Sequence, residues 1–168
     1  MNTPNRCREL DEHLRAWKPF TPGLREWVRA QRDLEPCIAE GLRATSAVDD
    51  WLGFELYLIA ALDHPSRSYT ETLCDVLDQR RDDMNGEAIV DALDSIADPA
   101  AVECLRRAVT WVPDWDEYGQ LARKAVWALD RIGTPEAIAA IRETVTDHLP
   151  RNVIEAAAKV LAAPRSGS

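Results

Sequence analysis

Apolar positions three and four residues apart run through most of this chain, the spacing of helices that bury one face. Leu10, Leu14 and Trp17 mark a helix over Arg6 to Trp17, and two prolines and a glycine break it between Lys18 and Gly23. Leu24, Trp27 and Val28 open a second helix that ends near Asp33. Leu34-Glu35-Pro36 starts a third, reaching about Ala44, with Pro36 in the first turn where its missing N–H costs nothing. From Ala47 the pattern grows more regular. Trp51, Phe54, Leu58, Ala61 and Leu62 line one face of a strongly apolar helix that stops at His64-Pro65. Tyr69, Leu73, Val76 and Leu77 mark its returning partner, and Arg80 to Gly86 reads as a polar linker.

Between Ala88 and Val145 one helix-turn-helix pattern is written twice, thirty-six positions apart. Ala92-Leu93-Asp94-Ser95-Ile96-Ala97-Asp98-Pro99 lies over Ala128-Leu129-Asp130-Arg131-Ile132-Gly133-Thr134-Pro135, and the match continues from Leu105 with Ile141 to Val109 with Val145. Asp98 and Thr134 each place an N-cap side chain before a proline preset for the first turn. A single such hairpin cannot bury its apolar face, so neighbours must stack, with Leu93, Ile96, Leu105, Leu129, Ile132 and Ile141 as the shared core. The expected fold class is therefore all-α, a solenoid of stacked antiparallel helical hairpins forming one domain. Residues 1–46 form an irregular helical N-terminal cap, which keeps the apolar end of the first hairpin from being exposed. The repeats follow at about 47–80, 86–112 and 120–147, then a half-repeat cap at 151–163 and a disordered tail at 164–168.

The run from Ala125 to Ile138 resembles the HEAT-repeat family, in particular its short bacterial form related to the repeats of phycobilisome lyases, with Asp130 where a glycine is more usual. The likeness is good over Glu87 to Asp147, extends back to Ala47 and is absent from residues 1–46. It implies a right-handed stack whose second helices line a concave binding face. It does not fix an activity, since the family includes scaffolds, inhibitors, bilin lyases and DNA glycosylases.

Composition narrows the partner. Net charge is −9, and the segment Ala47 to Gly119 holds five basic against seventeen acidic residues, whereas the flanks carry a small positive excess. Nucleic-acid binding rests on cations that displace counterions from phosphate, so this middle third should repel DNA and RNA and attract a basic protein. No window is apolar enough for a membrane span, and Met1 to Leu10 lacks the apolar core of a signal peptide. The chain is accordingly expected to be a cytoplasmic monomer. Cys7, Cys37, Cys74 and Cys104 lie about thirty residues apart with no C-x-x-C among them, which reads as four reduced, buried thiols.

Catalytic patterns are scarce. The sequence has no glycine-rich phosphate loop, no G-x-S-x-G and no H-E-x-x-H, and His13, His64 and His148 stand far apart. Asp82 to Glu87 has the composition of a calcium loop without its alternating ligands, and a linker is the plainer reading. No cofactor or metal is expected.

The unusual stretch is Trp111-Val112-Pro113-Asp114-Trp115-Asp116-Glu117-Tyr118, which lengthens one inter-repeat connection. Trp127 joins it, placed about 160° from Leu129 on its helix among Arg123, Lys124 and Arg131. Its equivalent in the preceding repeat is Asp91, and Trp111 has Asp147 as its equivalent in the following one. Two readings are open: a satellite cluster packed under the loop, with Arg123 or Lys124 on Trp127, or exposed anchors ringed by Asp114, Asp116 and Glu117 that select a basic partner. A second candidate surface is the outward stripe of the second helices, including Glu103, Arg107 and Glu143.

The leading function is a non-enzymatic protein-protein interaction module for a basic partner, with an immunity-like, antitoxin-like or regulatory role as its narrower form. The alternatives are a HEAT-like enzyme, by resemblance a bilin lyase or isomerase or a DNA glycosylase, and a regulatory subunit that docks through residues 1–46.

Overall fold

The computed structural model describes residues 3–16 and 23–163, and over these the chain is all-helical, with ten α-helices, two short 3₁₀ turns and no strand. The expectations for Trp17, for the break from Lys18 to Pro22 and for residues 164–168 concern positions outside the described residues. The chain divides into two compact units, Met1–Leu73 and Cys74–Ser168.

In the first unit α1 is Thr3–Ala16, α2 Leu24–Ala30, α3 Glu35–Ala47 and α4 Trp51–Asp63. Helices α3 and α4 fold back on each other through a short turn and bury Ile38, Leu42, Phe54 and Leu58 with Leu10 and Leu14 of α1. Asp50 caps α4 by accepting the Gly53 N–H at 3.0 Å. The Tyr57 ring lies against Gly41 and leaves no room for a Cβ there. The Tyr57 hydroxyl donates to Asp11 at 3.2 Å, and burial, with the Asp11 charge and hydrogen bond, pushes its pKa up to about 12. At the far end of α4, the Asp63 side chain is only 2% exposed and accepts from Arg25 and Arg29 of α2. Burial alone would raise the Asp63 carboxyl, but those two guanidinium groups outweigh it and hold it below the usual carboxylate range.

Helix α5 is Thr70–Asp78. In the second unit α6 is Gly86–Ile96, α7 Val102–Val109 after a 3₁₀ turn at Pro99–Ala101, α8 Gln120–Ile132, α9 Pro135–Thr144 and α10 Arg151–Ala162. Helix α8 is the hub: it packs on α6, α7, α9 and α10, and α7 lies beside α9. Leu93, Leu105, Leu129 and Ile141 are all fully buried, as the repeat pattern requires. Ile96 and Ile132 are only half-buried, because each falls in the last turn of its helix.

The two copies end alike. Ala97 (φ 50°) and Gly133 (φ 67°) both take the left-handed conformation, each donating its N–H to a carbonyl four residues back, Leu93 at 2.9 Å and Leu129 at 3.0 Å. Asp98 then accepts from Ala100 N and Thr134 from Ala137 N, both at 3.2 Å, as the expected N-caps.

The expectation of four reduced thiols is overturned. Cys7–Cys37 joins α1 to α3 and Cys74–Cys104 joins α5 to α7, with no free cysteine. Both pairs have a sequence separation of 30 and Cα atoms 4.9 and 5.6 Å apart. About thirty residues is the length of one helix-turn-helix step, so cysteines at that interval sit side by side on neighbouring helices rather than apart. The Arg80 to Gly86 linker also does more than expected: Met84 is buried, and Asn85 caps α6 by accepting from Ala88 N at 3.0 Å.

Candidate functional site

The long connection between α7 and α8 is built from inside outward. Asp116 is 5% exposed and accepts from the backbone N–H groups of Gln120 (2.8 Å) and Leu121 (2.9 Å), so both of its oxygens close the first turn of α8. Gly119 precedes that turn at φ 61°, against Pro150 and Val153, where any Cβ would come within 2.9 Å of their side chains. Pro113 is buried as well. These anchors fix the loop backbone and leave its other side chains outside.

Trp115 is 47% exposed and Tyr118 67% exposed. The Trp115 indole N–H donates to Asp82 at 3.2 Å, which ties the 111–119 loop to the linker before α6. Asp114 and Glu117 are exposed and have no hydrogen-bond or ion-pair partner among the described residues. Asp114, Trp115, Glu117 and Tyr118 are therefore exposed on one anchored acidic and aromatic loop, with Asp82 joined to it through Trp115. Asp116 must be removed from the expected anchor set, because a carboxylate spent on two helix N–H groups cannot also meet a partner. Trp111 is half-buried, close to the backbone at Gly86, and serves the packing rather than the surface.

Trp127 belongs to a different face. It is 45% exposed on α8, with the Arg123 guanidinium 4.8 Å from its ring centroid. Arg123 also donates to Gln120, so Gln120, Arg123 and Trp127 form a continuous ridge along the helix. Beside it, α6 and α8 are zipped by charge. Lys124 reaches Asp91 at 2.7 Å and Glu87 at 3.1 Å, and Arg131 reaches Asp94 at 3.0 Å. Partial burial pulls the Lys124 ammonium down, but the two carboxylates more than offset this and leave its pKa raised.

The outward stripe is largely self-paired. Arg107 forks onto Asp78 at 2.5 and 2.8 Å and also meets Glu103 at 3.0 Å, while Arg106 pairs with Glu103 at 2.7 Å. Hydrogen bonds from Arg106 hold the Glu103 carboxyl below its ordinary value. Glu143 is exposed on α9. The structure places Trp127 on α8, apart from the loop aromatics, and joins Asp82 to the loop through the Trp115 indole. The Arg123 guanidinium lies over Trp127, and the Trp115, Tyr118 and Trp127 rings are substantially open to solvent.

No family model, curated protein or solved structure matches this chain.

Proposed function

We propose that the second unit is a non-enzymatic module that docks a basic protein on the surface formed by Asp82, Asp114, Trp115, Glu117 and Tyr118. One observation carries the reading. The loop backbone is locked by buried Asp116, Pro113 and Gly119, while two large aromatics and two unpartnered carboxylates are held outward. Aromatic anchors give much contact area at low entropy cost, and a rigid loop lowers that cost further. Free carboxylates around them choose the sign of the partner. The same charge disfavours nucleic acid.

For architecture, the packing of α8 on α6 and α10, and of α7 on α9, supports a HEAT-like stacking of residues 86–163. A monomeric module fits this reading. For location, the two disulfides favour an oxidising compartment over the cytoplasm expected from the sequence.

The test is affinity capture by the intact chain, at about 50 and 500 mM salt, beside a Trp115→Ala/Tyr118→Ala double variant. The reading expects basic partners that are lost at high salt and bound at least tenfold more weakly by the variant, about 1.4 kcal/mol. Partners held equally by the variant, or indifferent to salt, would sink it. Micromolar, salt-dependent binding of duplex DNA would do the same.

A further inference from the structure

Among the described residues of the second unit, three shallow depressions share walls. One of about 400 Å³ lies between Glu117, Tyr118, Asn152 and Glu155. The next, about 480 Å³, keeps Asn152 and Glu155 and runs past Ala156 and Lys159 to Trp127. The third, about 530 Å³, continues from Trp127 and Asp130 toward α6. The first two form one groove along the seam of α8 and α10, with Tyr118 at one end and Trp127 at the other. Its α10 wall presents Asn152, Glu155, Ala156 and Lys159, a single stripe at helical spacing. Ala156 is 8% exposed and is the small residue that leaves the space.

The groove is charged asymmetrically. Glu155 is already engaged by Arg151 at 2.7 Å, and Arg123 by Gln120 and Trp127. Glu117 at the Tyr118 end and Lys159 at the Trp127 end have no partner among the described residues, and the Trp127 end, lined by Arg123, Lys159 and Asp130, keeps a net positive charge. The ten-residue step along α8 from Gln120 to Asp130 spans about 15 Å. An extended chain covers that length in about five residues.

We infer that this seam extends the docking surface from Glu117 and Tyr118 along α8 to the face that carries Trp127, and that it reads sequence. Its occupant is an extended segment of the basic partner, about five residues long, with Arg or Lys beside Tyr118 and Glu117. A small apolar side chain lies over Ala156, and an acidic side chain meets Lys159 beside Trp127. The inference rests on the proposed docking function and adds to it a direction and an order of side chains. A partner that is basic overall then still needs one acidic residue at a fixed distance from its anchoring cation.

A random twelve-residue peptide display library selected on the intact, oxidised chain tests this. The best peptides are then synthesised and titrated against variants. The expected enriched order is basic, apolar, acidic, with the two charges three or four positions apart. Ala156→Arg should weaken binding at least tenfold. Because that change adds bulk at a nearly buried site, two exposed charge swaps keep the test independent of folding. Glu117→Lys should select peptides with an acidic residue in place of the basic one, and Lys159→Glu should do the reverse at the other end. Basic peptides that bind through Trp115 and ignore both swaps would overturn the groove while leaving the docking function standing. Failure to enrich any basic peptide would remove both.

Discussion

The two copies of the repeat agree inward and disagree outward. Leu93 and Leu129 occupy the same fully buried position, and Ala97 and Gly133 end their helices in the same left-handed conformation. On the solvent side, Glu87 and Asp91 of α6 correspond to Arg123 and Trp127 of α8, and Ser95 to Arg131. This change of sign has a use. Two identical acidic stripes would repel across the α6–α8 seam, whereas the diverged pair is joined by Lys124 and Arg131. The difference between the copies thus joins the two helices across the seam, and it leaves Trp127 exposed on α8 under the Arg123 guanidinium. The connections differ too: the one before α8 carries a buried cap and exposed aromatics, while α10 begins at Pro150 with no side-chain cap.

The comparison can be broken most directly in the core. Leu129→Ala and Leu93→Ala should each cost about 2 to 5 kcal/mol in denaturant unfolding. Leu129, on the helix that touches four others, should stand toward the upper end. A larger loss at Leu93 would mean that α8 is not the hub. Next is the buried cap. Asp116→Ala leaves two α8 N–H groups without their acceptor and should lower stability by about 1 to 3 kcal/mol. A change within error would show that the loop is not anchored as described.

The helix ends give a smaller, signed test. Gly133→Ala places a Cβ at φ 67°, and because its nearest neighbour would be the Asp130 carbonyl at an ordinary 3.4 Å, the penalty is conformational. It should cost about 1 kcal/mol, and Ala97→Gly should return a similar or smaller gain. Equal signs for the two would refute their equivalence. The smallest effect belongs to the charge zipper. Lys124 has a raised pKa, so its contribution is complete below the unfolded lysine value near 10.4 and is lost as pH rises through the higher folded value. Lys124→Met should lower stability by about 1 kcal/mol or less at neutral pH and flatten the alkaline limb of a melting-temperature profile.

Much of this architecture was legible because helix periodicity and cap chemistry are local. His64 terminates α4, Asp98 and Thr134 cap their helices, and Leu93 and Leu129 face inward, all from spacing alone. The site was less legible because it depends on three-dimensional neighbours. Asp116 and Glu117 are adjacent carboxylates in one loop, yet one is buried under α8 and the other is open, and nothing in their local sequence distinguishes them. Asp82 lies 33 residues before Trp115, and only the fold makes it the indole's acceptor. The cysteines failed for the same reason: their interval looked uninformative until helices gave it a spatial meaning.

That interval has a consequence for the unfolded chain. Each disulfide closes a loop of the same length, one within 7–37 and one within 74–104, so an oxidised chain can never become a free random coil. Denaturant would release two tethered rings joined by a linker, with less newly wetted surface and a shallower unfolding slope than the reduced chain. Each closed ring restricts the denatured ensemble by about 3 to 4 kcal/mol. Thiol reductants should therefore act on this protein as strongly as a core mutation, although only the two S–S links are lost.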